Sequence, residues 1–235
     1  MKSLILIVAA CSFLLRVGSS ASAAETGAEY AIRWNAAEGG LKTAAQTLAA
    51  FGVSADDKDA FEIQYFTVAA PADLPSGFGA IARSRQKGKK KELTFKLRGP
   101  EPVQPLPARD SWNCGLGEAV KKDEIDISVL ANGQVKRVFS RSCSIESKED
   151  IAFPGAMGAK PKGCVSTMTR LKSGTLTVEE WLLKPSGVRL IEVSRKGADT
   201  NDELQAFRKD IVTPLLGRRI KPLDRSKSDV GSDCS

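Results

Sequence analysis

The sequence predicts a mainly β, α+β protein made of antiparallel strands with few helices. Short segments alternate charged with aliphatic residues along most of the chain. Glycine- or proline-containing turns separate them at hairpin-like intervals. Only two stretches carry an apolar stripe at helical spacing. The strands therefore place charge on one face and aliphatics on the other. A sheet solvated on one side satisfies that pattern. So does a closed barrel with a polar interior and helices over its apolar exterior.

The first strand is "EYAIRW", with Tyr30, Ile32 and Trp34 on one face and Glu29, Ala31 and Arg33 on the other. "LKTAAQTLAAFG" reads as a helix whose stripe is Leu41, Ala45, Leu48 and Phe51, with Gly52 as its stop. "AFEIQYFTV" is the second strand, broken by the prolines and glycine of "AAPADLPSG". "AIARSR" and "ELTFKLR" form a hairpin around the "QKGKKK" connection. Its lysine-rich tip reads as a solvated turn. Arg83, Arg85 and Lys96 lie within the strands, where alternation gathers them on one wall.

"GPEPVQPLPARDSWNCGLG" reads as a long loop tied down by Cys114. "DEIDISVLANGQVKRVFSRSCSIE" is a second hairpin turning at Asn132-Gly133. Its first arm sets Glu124 and Asp126 on one face, and these like charges need a nearby cation. Arg137 and Arg141 on the returning arm can supply it, and the arrangement reads equally as a salt-bridge ladder or as half of an anion site. "IAFPGAMGAKPKG" reads as another loop. "TLTVEEWLL" and "VRLIEVSRKG" make a third hairpin through "KPSG". Glu92 and Glu179 read as cross-strand or surface partners. "TNDELQAFRKDIVTPLLG" is a helix, capped by Thr200 with Glu203 and kinked or ended by Pro214.

The start of the chain reads as a secretion signal over residues 1–23. Lys2 precedes the apolar run "LILIVAACSFLL", and Ala21 and Ala23 occupy an A-x-A cleavage site. This predicts a secreted or periplasmic protein, with a lipoprotein box ending at Cys11 as the minor alternative. One domain is expected over 24–216, followed by a polar tail over 217–235. No later segment is apolar enough to cross a membrane as a helix. Cleavage would leave Cys114, Cys143, Cys164 and Cys234, an even set with three open disulfide pairings.

The chain contains no histidine, which excludes Ser-His-Asp and Cys-His nucleophilic systems. Cysteines without C-x-x-C spacing, and no histidine beside them, argue against structural zinc. The net charge of +7 is too modest, and Trp34, Trp112 and Trp181 too few, for a nucleic-acid stacking groove. The positive excess permits attraction to phosphates.

In order along the chain, "EYAIR", "QYFTV", "AIARSR", "ELTFK", "IEVSRK" and "DRSKSD" resemble the motif series of the CYTH, or triphosphate-tunnel, family. The resemblance covers nearly the whole chain beyond the leader. It implies an antiparallel eight-stranded closed or nearly closed barrel whose tunnel binds a triphosphate. It implies phosphate contacts from Arg33, Arg83, Arg85, Lys96 and Lys196, and Arg137 and Arg141 join them by face alternation. It implies acids for Mg or Mn at Glu29, Glu124, Asp126 and Glu192. Ala31, Thr67 and Ser194 stand where the family has acids. Two expectations follow: a polyphosphate-binding protein with metal-dependent phosphohydrolase activity, or a non-catalytic exported binding or structural protein on a degenerate barrel.

Overall fold

The computed structural model describes residues 27–69, 74, 76–101, 106 and 108–233. The readings of the signal segment, Cys11 and Cys234 lie outside these residues. Nine strands close into a barrel: β1 (Gly27–Asn35), β2 (Asp57–Thr67), β3 (Gly79–Lys87), β4 (Lys90–Gly99), β5 (Val120–Val129), β6 (Val135–Ser147), β7 (Lys160–Ser173), β8 (Leu176–Leu183) and β9 (Arg189–Ala198). Their order around the wall is β1-β5-β6-β4-β3-β2-β7-β8-β9.

This corrects the expected eight strands. The ninth is β7, whose first four residues close the stretch read as the loop "IAFPGAMGAKPKG" and whose remainder was assigned to no element. Lys160, Pro161 and Gly163 open the strand, and Ser166, Met168, Arg170 and Lys172 give its inner face no aliphatic stripe. The odd count also corrects the all-antiparallel expectation. Directions cannot alternate around a ring of nine, so one neighbouring pair must run parallel. That pair is β1–β5; every other pair is antiparallel.

The main apolar core lies outside the barrel wall. Tyr30, Ile32 and Trp34 of β1 point outward and join Ile125, Ile127, Val178, Ile191 and Val193. Two helical segments cover them. The first is α1 (Ala44–Ala50), where the Thr43 side chain accepts from the Gln46 N–H, as an N-cap should. Glu180 on β8 also accepts from the Ala44 N–H at 2.9 Å. The second runs from α2 (Asn201–Phe207) through a π-helical turn over 208–212 into α3 (Thr213–Gly217). Thr200 caps α2 by accepting from the Glu203 N–H at 3.2 Å. Pro214 is the second residue of α3, where its missing N–H is tolerated, and the π turn before it keeps the chain helical up to the proline. Phe207, Ile211 and Leu215 close the outer core.

A smaller outer cluster holds Phe95, Leu97 and Leu116 against the Cys114–Cys143 disulfide, which staples the long loop to β6. Cys164 is disulfide-bonded as well. The polar tail carries α4 (Lys227–Asp233), which packs against β2 and β7 and brings Lys227 and Ser228 to the cavity enclosed by the barrel. There Val230 joins the inward-facing Ile63, Tyr65, Met168 and Trp181. Gly231 is needed at this contact, because a Cβ would come within 2.7 Å of the Tyr65 ring. The lysine tip of the β3–β4 hairpin is a solvated turn held by ion pairs. Lys87 pairs with Asp59, Lys90 with Glu146 and Lys91 with Asp150. Among the described residues, no helix is long and apolar enough to cross a membrane.

Candidate functional site

The inner faces of the strands surround a cavity of about 650 Å³. Among the described residues, ten cationic side chains and six carboxylates line it, so the wall favours an anion. Strand parity puts them there: Glu29, Ala31 and Arg33 from β1, Arg83 and Arg85 from β3, and Glu92, Thr94, Lys96 and Arg98 from β4. Glu124, Asp126 and Ser128 come from β5, Glu192, Ser194 and Lys196 from β9. The structure thus brings together Arg33, Arg83, Arg85, Lys96, Lys196, Glu29, Glu124, Asp126 and Glu192.

Arg137 and Arg141 stand on the outside. In the β5–β6 register Asp126 faces Val138 and Glu124 faces Ser140, so the inward face of β6 carries its serines. Arg137 pairs outside with Asp199 and Glu101, and Arg141 with Asp123. The expected cation supply for Glu124 and Asp126 is corrected accordingly. Arg98 and Lys96 serve Asp126 at 2.9 and 3.7 Å, while Lys122 and Lys196 serve Glu124. One residue of parity separates the two faces of a strand, so the alternation of Arg137 and Arg141 did not identify the inner wall.

One side of the lumen is a guanidinium cluster. Arg83 and Arg85 approach Glu92 at 3.5 and 3.7 Å. Glu92 also accepts from the Thr94 hydroxyl at 2.9 Å. Arg85 and Arg170 both stack on Phe61, 5.1 and 4.9 Å from the ring centroid. Asp59 binds the outer end of Arg170. The Nε atoms of Arg83, Arg85, Arg98 and Arg170 are buried, and no acceptor meets them among the described residues. Burial first, and Arg83 second, push Arg85 down to about 10, so it stays charged at neutral pH while repelling its neighbour. Burial raises Glu92, but Arg85 and Arg83 outweigh it and hold the carboxyl below its ordinary range.

The other side is acidic. Ligand oxygens of Glu29, Glu124 and Asp126 lie within 4.8 Å of one another. The parallel β1–β5 register creates this group by setting Glu29 opposite Asp126. Burial raises Asp126, yet Lys96 and Arg98 pull it below the ordinary carboxylate range. Glu29 has no ion pair among the described residues. Burial raises it; Lys227 opposes the rise, while Glu192, Glu124 and Glu179 add to it.

Between these walls Arg33 Nε donates to Glu192 at 2.7 Å, and Arg33 Nη1 donates to Ser128 at 3.2 Å. Ala31 and Ser194 are register partners on β1 and β9, so two of the positions where the resemblance expects acids lie side by side on the lumen wall. Thr67 ends β2 and is exposed.

Sequence reasoning missed Arg98, Lys122, Arg170, Lys172, Glu179 and Lys227 on this wall. Alternation with Lys96 was a signal for Arg98, and "SKS" in the tail was one for Lys227. Arg170 and Lys172 lay in the unassigned strand. Glu92 and Glu179, read as cross-strand or surface groups, face the lumen.

Fold and site together define a nine-stranded closed barrel with a net-cationic, polar lumen and an acidic group on one wall. No family profile matches the chain. No curated protein matches it either. Among solved structures it is similar to a conserved hypothetical protein from Pyrococcus furiosus, at 15% identity and a TM-score of 0.46 over 86% of this chain and 98% of that one. It is similar to the PH1012 protein from Pyrococcus horikoshii at 12% identity and a TM-score of 0.47, with the same coverage. It is also similar to a Hippeastrum protein with a dominant triphosphatase activity, at 13% identity and a TM-score of 0.43 over 85% of this chain and 93% of that one. The solved structures similar to this chain have the CYTH fold that its motif order resembles. At these identities and scores they assign no role to any residue here.

Proposed function

We propose that the lumen binds a triphosphate or another polyphosphate-type anion. The observation that carries this reading is the set of four buried arginine Nε–H groups without an acceptor, on Arg83, Arg85, Arg98 and Arg170. A buried donor left unmatched costs about 1–3 kcal/mol. Phosphate oxygens would supply the missing acceptors in a geometry the guanidinium fork favours. Phe61 and Asp59 hold Arg170 in place, and Thr94, Ser142 and Ser144 add hydroxyl donors along the same wall. The motif resemblance points to the same ligand class.

The donor set of Glu29, Glu124 and Asp126 fits a small divalent ion. All three offer hard oxygen ligands, and Glu29 has no cation of its own to displace. These three residues would hold Mg or Mn, which when bound polarises a phosphoryl group and orients water. The arginine wall would meanwhile position the anion and balance its charge. A binding protein without turnover is the second reading, favoured by Ala31 and Ser194 at the facing positions where the resemblance expects acids. Export to a secreted or periplasmic location belongs to the proposal and draws support from the Cys114–Cys143 disulfide.

Tripolyphosphate titrated against the mature protein, followed by thermal unfolding and by phosphate release with Mg or Mn, tests the reading. A ligand at one hundred times its Kd adds about 2.7 kcal/mol of stability. For a chain of this size that raises Tm by about 5–11 °C. Arg85→Ala combined with Arg170→Ala should remove the shift. Absence of a shift with any polyphosphate ends the proposal.

A further inference from the structure

Glu179 on β8 and Glu192 on β9 are direct register partners with both side chains in the lumen. Like charges facing across adjacent strands destabilise a sheet unless a cation joins them. Here the cation belongs to the protein. Lys227 Nζ lies 2.6 Å from Glu179 Oε2 and 2.5 Å from Glu192 Oε1. The other Glu192 oxygen accepts from Arg33, and Glu179 Oε2 also accepts from Trp181 Nε1 at 3.0 Å. Burial alone would lower the Lys227 ammonium, but Glu179, Glu192 and Glu29 hold it above its ordinary range.

Lys227 is carried into the barrel by the tail. It is the first residue of α4, whose Val230 is buried among Tyr65, Met168 and Trp181. The neighbouring Ser228 hydroxyl accepts from Arg98 at 3.1 Å. The ammonium therefore stands at a fixed point between two carboxylates whose facing arrangement would otherwise suit a divalent ion.

We infer that Lys227 is a resident cation that takes the place of a metal ion between Glu179 and Glu192, so that polyphosphate binding in this lumen does not require divalent metal. The inference rests on the proposed anion site and adds its cation requirement. Glu179 and Glu192 are already neutralised by Lys227 and Arg33, and the arginine wall faces the anion without waiting for an ion at this position. A metal at Glu29, Glu124 and Asp126 would add to binding and would not be its precondition.

Isothermal titration of the mature protein with tripolyphosphate, in EDTA and in Mn²⁺, reads this directly. The wild-type protein should lose less than tenfold in affinity when Mn²⁺ is replaced by EDTA. Lys227→Met should lose at least tenfold in EDTA and recover in Mn²⁺, because the freed carboxylate pair then takes the metal. The wild-type comparison stands even where that variant fails to fold. Binding by the wild-type protein in Mn²⁺ but not in EDTA overturns the role of Lys227 and leaves the anion site intact. Binding under neither condition overturns the anion site and this inference with it.

Discussion

Replacing Glu192 with Gln should destabilise the fold more than replacing its partner Arg33 with Met. Glu192 is 2% exposed and Arg33 8%, so neither charge is relieved by water. Glu192 serves two cations, Arg33 at 2.7 Å and Lys227 at 2.5 Å. Its amide analogue keeps the shape but carries no charge and one acceptor oxygen where Arg33 and Lys227 each use one, and its NH2 group faces a cation. Breaking a buried pair by removing one partner costs about 3–5 kcal/mol. At about 2–4 °C per kcal/mol for a chain of this size, Glu192→Gln should lower Tm by about 6–20 °C. Arg33→Met leaves Glu192 still bound to Lys227. The main loss is then the hydrogen bond between charged groups, about 1.5–3 kcal/mol, or about 3–12 °C, because the Ser128 hydroxyl that also loses Arg33 is only half-buried. Urea denaturation of both variants, read as midpoint times slope, gives the two costs side by side. An Arg33→Met cost equal to or above that of Glu192→Gln would refute the view that Glu192 is the shared hub.

Two further predictions concern charge and cross-linking. Glu29 has a folded pKa above its unfolded value, so its contribution is present below the unfolded value near ~4.3 and is lost as pH rises through the folded value. Glu29→Gln should therefore be more stable than wild type at pH 7–8, with the gain vanishing by about pH 4; an equal gain at both pH values sinks the assignment. Replacing Cys114 and Cys143 together with Ala opens a link across 29 residues and should cost about 3–4 kcal/mol by loop-closure entropy. A change below about 1 kcal/mol in urea unfolding would show that other contacts hold the long loop.

Much of the wall was legible because strand parity is a local property. Glu29 and Arg33 had to share a face, opposite Tyr30, Ile32 and Trp34, whatever the strands paired with. The same argument placed Arg83 with Arg85, and Glu124 with Asp126. Parity does not say which face of a given strand turns inward, and there the assignment of Arg137 and Arg141 failed. Phe139 and Cys143 share their face, and both are buried in the outer clusters. β7 escaped notice because its inner face carries Ser166, Arg170 and Lys172, so period-2 hydrophobicity is absent there.

The sequence by itself determined the β-rich class, the hairpins at 80–98 and 175–197, the helical segments within 41–52 and 200–217, and the charged faces that became the lumen. These follow from side-chain periodicity, turn residues and capping, which act within a few residues of the chain. Only the tertiary structure decided the ninth strand, the parallel β1–β5 contact that gathers Glu29, Glu124 and Asp126, and the return of Lys227 to Glu179 and Glu192. Each of these joins residues far apart in sequence. Closure of the ring fixes their register, and no local pattern encodes the partner a strand will meet when the barrel shuts.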